Sequence, residues 1–81
     1  MKIREEIQDS IVEDDLLVFV PSEKNFFVIT GIGIIIFNEI KEGKTTREII
    51  SKITQEYNID KETAEKDVNS FIKSLKEKKI I

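Results

Sequence analysis

The sequence of 81 residues contains no cysteine and no histidine, and its only proline is Pro21. Without cysteine the chain has no disulfide framework and no thiol nucleophile, and without either residue it has no Cys/His zinc site. Histidine is also the commonest general base near neutral pH. An enzyme built on this chain would depend on carboxylates, Lys, Ser, Thr or Tyr57. We therefore expect a protein with no catalytic residues, no metal and no cofactor.

Positive charge of the kind that recognises nucleic acid is also scarce. Lys and Arg number 13 against 16 Asp and Glu, which gives a net charge of −3, and the only arginines are Arg4 and Arg47. Arginine is the residue that reads guanine and clamps phosphate through two parallel hydrogen bonds. We therefore expect no nucleic-acid partner.

Long apolar runs are missing as well. The longest uninterrupted run of apolar or glycine residues is 31–37, far below the ~20 residues that span a bilayer. The segment 3–10 is charged and lacks the character of a signal peptide. We expect one cytoplasmic domain over residues 1–81, with no membrane partner.

The order of local patterns is strands first and helices after, which favours an α+β, winged-helix-like fold. Two apolar runs, Leu16–Val20 and Asn25–Ile29, are predicted strands, and the segment Pro21–Lys24 between them is a predicted turn. A weaker strand is expected somewhere between Ile3 and Val12, where the isoleucines are spaced too widely to fix its limits.

Three helices are predicted in the remainder. The first runs from about Thr30 to Ile40 and stops at Gly43. The second begins with a capping box formed by Thr45 and Glu48 and ends at Asn58. The third begins after the N-cap Asp60. Its predicted core stripe consists of Ala64, Val68, Phe71 and Leu75, and we expect Ile80 and Ile81 to fold back on the core.

Ile72 on the third helix is not explained by that stripe. It lies ~60° from the centre of the stripe, on a flank shared with Lys61, Glu65, Asn69 and Lys76. The simpler interpretation is a wide core stripe, because an apolar residue at its edge is common. The functional interpretation is that Ile72 lines a groove beside the helix.

The second predicted strand raises the same question, because Phe26, Phe27, Val28 and Ile29 are apolar on both faces. A strand with one face in water should alternate. Either helices cover both faces, or one face is the floor of a groove beside an open sheet edge that offers N–H and C=O groups to an incoming strand. The pattern does not decide which face that is.

The chain resembles the PqqD-like family over about residues 16–81. The resemblance consists of Gly33-x-x-x-Phe37-x-x-Ile40-x-x-Gly43, the Thr45 capping box, Ile49, Ile53, Glu56-Tyr57, Asp67-Val68, Phe71-Ile72, Leu75 and Ile80-Ile81. Two positions depart from the family pattern. Phe37 stands where tryptophan is usual, and Lys78 or Lys79 replaces the usual glycine before the apolar terminus.

The resemblance implies a three-stranded antiparallel N-terminal sheet followed by a three-helix bundle. It implies a non-catalytic, free-standing RiPP recognition element, that is, a domain that captures the leader segment of a ribosomally synthesised precursor peptide by strand addition. The implied partners are the leader peptide and a modifying enzyme such as a radical SAM protein, a cyclase or a protease.

The resemblance also implies the position of the leader. Its backbone would pair with the strand formed by Asn25, Phe26, Phe27, Val28 and Ile29. Its side chains would meet Asn69 and Ile72 on the third helix, with Glu65 and Lys76 at the rim. On this view Ile72→Asp weakens peptide binding and leaves the fold intact.

Three other functions remain as alternatives. A winged-helix DNA-binding module fits the short junction 58–60, but the third helix would begin with acidic residues that repel phosphate. A dimerisation module would pair its own open strand edges and form a homodimer. A carboxylate enzyme would have to use the pairs Glu5-Glu6, Asp14-Asp15 or Glu62 with Glu65, which are candidates by residue type alone.

Overall fold

A computed structural model describes residues 1–81. Three strands come first, β1 (Gln8–Val12), β2 (Asp15–Val20) and β3 (Asn25–Ile29), and three helices follow, α1 (Ile32–Lys41), α2 (Thr46–Tyr57) and α3 (Lys61–Glu77). The strands form one antiparallel sheet in the order β1-β2-β3. The expected α+β fold, a three-stranded antiparallel sheet followed by three helices, is confirmed, and β1 is the strand whose limits the sequence left open.

The alternation of buried and half-buried residues along β2 shows which face of the sheet packs against the helices. Leu16, Val18 and Val20 are buried, while Leu17 and Phe19 between them are half-buried. The β2–β3 register places Ile29 opposite Leu16 and Phe27 opposite Val18. Because successive side chains point to opposite faces, Phe27 and Ile29 share the inner, helix-covered face. Phe26 and Val28 belong to the outer face.

The helices close the core over that inner face with one apolar stripe each. The buried apolar residues of the helices are Ile36, Phe37 and Ile40 of α1, Ile49 and Ile53 of α2, and Ala64, Val68, Ile72 and Leu75 of α3. Each large aliphatic or aromatic side chain contributes about 1.5–3 kcal/mol on burial. None of the helices is long and apolar enough to cross a bilayer.

Side-chain caps begin two of the helices as the sequence predicts. In α2 the Glu48 N–H donates to Thr45 Oγ1 at 3.2 Å, and the Thr45 N–H donates to Glu48 Oε1 at 3.0 Å. In α3 the Thr63 N–H and hydroxyl donate to Asp60 at 3.2 and 2.7 Å. These hydrogen bonds stabilise the ionised carboxylates, so the pKa values of Glu48 and Asp60 lie below their ordinary values.

Both α1 and α3 end in a Schellman turn, in which a residue of positive φ reverses the chain. After α1 that residue is Gly43 (φ 84°), and after α3 it is Lys79 (φ 61°). The Lys79 N–H donates to the Lys76 carbonyl at 3.1 Å, and the Ile80 N–H donates to the Leu75 carbonyl at 2.9 Å. The turn directs Ile80 into the core, where it is fully buried. The predicted return of the chain end is thus confirmed for Ile80, and Lys79 is the lysine in the glycine-like position.

We predict that Lys79→Gly stabilises the protein. A non-glycine residue in the left-handed region carries about 1–2 kcal/mol of strain, which glycine removes. Glycine also raises the conformational entropy of the unfolded chain, and this offsets part of the stabilisation. The expected net gain is about 0.5–1 kcal/mol in the free energy of unfolding, measured by urea denaturation. The matched control is Lys73→Gly, an exposed position inside α3, which should instead cost about 1 kcal/mol. A loss of stability in Lys79→Gly would contradict the assigned turn.

Candidate functional site

The free edge of β3 is the first element of the site. β3 pairs with β2 alone, so its other side has no partner in the chain. The Phe26 N–H donates to Asn25 Oδ1 at 2.9 Å, and the Phe26 and Phe19 rings lie 4.7 Å apart between centroids. Both observations mark Phe26–Phe19 as a non-hydrogen-bonded pair of the antiparallel ladder. Because such pairs alternate, Phe26 and Val28 direct their backbone N–H and C=O groups outward.

The opposite edge of the sheet, on β1, is protected by a charge. Asp9 lies opposite Val18, on the inner face of the sheet, and its carboxylate accepts hydrogen bonds from Lys41 Nζ of α1 at 3.1 and 3.2 Å. An inward-pointing charge on an edge strand disfavours pairing with another chain. β3 carries no charged residue. The two edges therefore differ, and only the β3 edge lacks such protection.

A groove lies between β3 and α3, and we name it the β3–α3 groove. Its volume is about 310 Å³ and most of its lining is apolar. The lining residues are Phe27, Val28, Ile29 and Thr30 of β3 and its end, Gly33 of α1, Phe71, Ser74 and Leu75 of α3, and Lys78 and Ile80 after it. The open backbone edge and an apolar groove thus lie side by side.

At Gly33 the first turn of α1 lies close to both β3 and α3. A Cβ atom at this position would lie 2.9 Å from Ile29 Cγ2 and 3.0 Å from Phe71 Cε2, closer than side-chain carbons pack. Glycine therefore permits the close approach of the first turn of α1 to both side chains. The result is an apolar end of the groove bounded by Ile29, Gly33 and Phe71.

Lys78 forms the other end of the groove. Its Nζ lies 5.3 Å from the centroid of the Phe27 ring and donates to Ser74 Oγ at 2.7 Å. The side chain is half-buried. A cation over an aromatic face is held by the ring quadrupole. The groove therefore contains a single charge, which is positive and kept in place by two contacts.

The structure brings the five predicted strand residues, Asn25 to Ile29, together at the open edge. It also answers which face of β3 lines the groove. The side chains of Phe27 and Ile29 face it. Val28 also borders the groove, but the side chains of Phe26 and Val28 belong to the outer face, where these residues are 58% and 61% exposed.

The predicted residues of α3 lie elsewhere. The helix turns Phe71, Ser74 and Lys78 toward β3, and Glu65, Asn69, Ile72 and Lys76 lie about 100–160° around the helix from Phe71. None of these four lines the groove. Glu65 lines a polar cleft between α2 and α3 instead, and Asn69 and Lys76 are exposed.

The interpretation that Ile72 lines a groove is wrong, because the side chain is buried. Ile72 is only 8% exposed and belongs to the hydrophobic core, so the wide core stripe is the correct interpretation. It shares its flank of α3 with Glu65, and that flank is directed toward α2. The residues that sequence reasoning missed are Ser74 and Lys78, and Phe71, which it placed in the core. Their spacing of three and four residues predicts that they share one face of the helix. It does not predict that this face is directed toward β3.

Comparisons with known proteins show the family and the fold. The profile of the family described as coenzyme PQQ synthesis protein D (PqqD) matches residues 6–81. Among solved structures, TbiB1 in complex with the TbiA(beta) leader peptide has a TM-score of 0.92 and 28% identity, covering 99% of this chain and 93% of that one. A lasso peptide synthetase B1 complexed with the leader peptide has a TM-score of 0.88, covering 95% and 91%; at 19% identity it shows the fold alone. A comparison with curated proteins found no match.

We predict that Ile72→Asp strongly destabilises the protein. A buried aliphatic side chain is lost and an unpaired carboxylate takes its place, at a cost of roughly 3–5 kcal/mol. The whole stability expected for a domain of this length is roughly 4–12 kcal/mol. Circular dichroism during heating measures the effect, and Asn69→Asp, an exposed position near it on α3, is the control that should keep a native transition. A native melting curve for Ile72→Asp would restore the groove interpretation of this residue.

We predict that Gly33→Ala narrows the groove and destabilises the fold. Alanine gains about 1 kcal/mol of helix propensity, but the collisions with Ile29 and Phe71 cost about 1–3 kcal/mol. We expect a net loss of about 1 kcal/mol in urea denaturation, together with shifted methyl resonances of Ile29. Asn38→Ala, at an exposed position in α1, is the control and should not lose stability. A more stable Gly33→Ala variant with unchanged Ile29 resonances would show that the close approach is not a constraint.

Proposed function

Because the chain belongs to the coenzyme PQQ synthesis protein D (PqqD) family, we propose that it is a binding domain for the leader segment of a precursor peptide. The leader adds as a strand to the β3 edge and lies along the β3–α3 groove. The observation that carries this proposal is the open, uncharged edge at Phe26 and Val28 beside that groove. The bound leader peptide in the matched TbiB1 structure supports it.

The outward backbone groups define the pairing. Phe26 and Val28 together offer two N–H and two C=O groups, and four such hydrogen bonds contribute about 1 kcal/mol each, net. Two aliphatic or aromatic anchors in the groove add about 2 kcal/mol each. Ordering a flexible leader costs several kcal/mol. The favourable contributions total about 8 kcal/mol, which alone corresponds to a dissociation constant of about 1 μM, and the ordering cost makes binding weaker than that. Because every peptide makes the same backbone hydrogen bonds, the groove decides which peptide binds.

Both faces of the added strand have an apolar neighbour. Its inward side chains enter the groove beside Phe27 and Ile29. Its outward side chains lie against Phe26 and Val28, which are more than half exposed, and Phe26 is already stacked near Phe19. Burial of these outer side chains by the peptide accounts for an apolar face that the chain leaves in water.

We propose further that the domain acts without chemistry of its own and presents the precursor to a modifying enzyme, such as a radical SAM protein, a cyclase or a protease. The groove carries one amine and no carboxylate, and no group of three acidic side chains in the structure is arranged to hold a metal ion. Since the precursor is made on the ribosome, this work takes place in the cytoplasm.

The test distinguishes the contribution of the β3 backbone to peptide binding from the contribution of its side chains. Random 12-residue peptides displayed on phage are selected on the wild-type domain, and the enriched peptides are titrated by fluorescence anisotropy. Val28→Pro removes one outward N–H and places a ring on the edge without breaking the β2–β3 ladder. We expect a native circular dichroism spectrum and an affinity reduced about 30-fold, which corresponds to about 2 kcal/mol.

Val28→Ala is the matched control, because it shortens the side chain and keeps the N–H. It should lose less than half of the free energy that Val28→Pro loses. Hydrogen exchange provides the second measurement, and the Phe26 and Val28 amides should become protected when peptide binds. Full affinity in a folded Val28→Pro variant, or unprotected amides in the complex, would rule out strand addition at β3.

A further inference from the structure

Lys78 is the only charged residue that lines the β3–α3 groove. The ion pairs of the protein use Lys2, Lys41, Lys52 and Lys61. Lys78 takes part in none of them, and its one hydrogen bond is to the Ser74 hydroxyl. An ammonium group has three donors, so two remain for an acceptor supplied from outside the chain.

The two ends of the groove are spaced like successive inward side chains of a strand. Phe27 and Ile29 lie on the same face of β3 two residues apart, which corresponds to about 7 Å. Beside Ile29 the wall is Gly33 and Phe71, and no charged side chain lines this end. Beside Phe27 the wall is Lys78. An added strand in register with β3 therefore presents one side chain to the apolar end and the next inward side chain to the ammonium group.

We propose that the groove selects peptides in which an acidic residue stands two positions from an apolar anchor. This inference rests on the proposed function and specifies its ligand chemistry. The apolar side chain occupies the end formed by Ile29, Gly33 and Phe71, and the carboxylate pairs with Lys78 Nζ. A half-buried, pre-positioned ammonium binds a carboxylate through a charge-assisted hydrogen bond, which is stronger than an ordinary surface pair.

The order of the two residues reports the direction of the peptide. From Ile29 to Phe27 the groove runs against the direction of β3. A peptide antiparallel to β3 therefore reads apolar-x-acidic, and a parallel peptide reads acidic-x-apolar. The residue between them points to the outer face, toward Phe26 and Val28, and is expected to be apolar.

The experiment selects the same 12-residue phage library on three proteins: the wild type, Lys78→Glu and Lys76→Glu. Lys76→Glu makes the same charge change two residues away on a part of α3 that does not line the groove, so it is the matched control. We expect an acidic residue two positions from an apolar one in peptides from the wild type and from Lys76→Glu. On Lys78→Glu, lysine or arginine should replace the acidic residue.

Titration of the selected peptides completes the test. A selected peptide with the acidic residue should bind Lys78→Glu at least about tenfold more weakly than it binds the wild type. The same peptide with lysine in place of the acidic residue should bind Lys78→Glu more tightly than the acidic peptide does. Lys78→Met keeps the aliphatic stem over Phe27 and removes the charge, so it should lose the acidic preference without gaining a basic one.

Two other outcomes overturn the inference in different ways. If strand-forming peptides are selected with no acidic preference, or if that preference persists on Lys78→Glu, Lys78 is only a cover for Phe27 and the proposed function stands without this specificity. If the selected peptides bind Val28→Pro as tightly as the wild type, the strand-addition site itself is wrong, and the acidic preference falls with it.

Discussion

The close approach of Gly33 to Ile29 and Phe71 sets the distance between the sheet and α3. With a side chain at position 33, the first turn of α1 would have to move away from β3, because two carbons already stand within about 3 Å of where its Cβ would be. Phe71 of α3 lies against the same turn of α1, so this turn limits how near the helix and the free edge come to each other. The size of side chain that fits at this end of the groove therefore depends on a residue without a side chain.

An open strand edge can pair with the wrong chain. The two edges of this sheet differ in how they are protected against such pairing. Asp9 places a carboxylate on the inner face of β1, tied to Lys41 of α1. β3 has no such charge, and its outer residues are apolar and exposed. The single restraint on that edge is mild, because Asn25 Oδ1 accepts the Phe26 N–H and an incoming carbonyl can replace it at little net cost. Protection on one side and availability on the other are what a strand-accepting domain requires.

The features that the sequence predicts best are those that depend on residues close together in the chain. The Thr45 capping box and the Asp60 cap depend on contacts within a few positions. The predicted limits Asn25–Ile29 of β3 follow from a local apolar run that comes directly after a turn. The structure agrees with each of these predictions. The limits of β1 depend on pairing with β2, since Ile3, Ile7 and Ile11 have no strand periodicity of their own. The assignment of Ile72 failed for a related reason. A helical wheel gives the angle between residues on α3 but not which flank meets β3 and which meets α2, and that is fixed only by the path of the whole chain.

The end of α3 shows how the groove and the chain reversal constrain each other. Lys78 must lie at the last turn of the helix for its ammonium group to reach Phe27, and Ile80 must enter the core two residues later. Only a residue with positive φ between them reverses the chain that sharply, so Lys79 adopts a conformation that glycine would take with less strain. The hydrogen bond from the Arg4 N–H to the Ile80 carbonyl at 2.9 Å holds the reversed segment from the other side. The position of the one charge in the groove is thus fixed by a local turn, a buried isoleucine and the N-terminal segment together, and a flexible lysine on an open helix end would lack this definition.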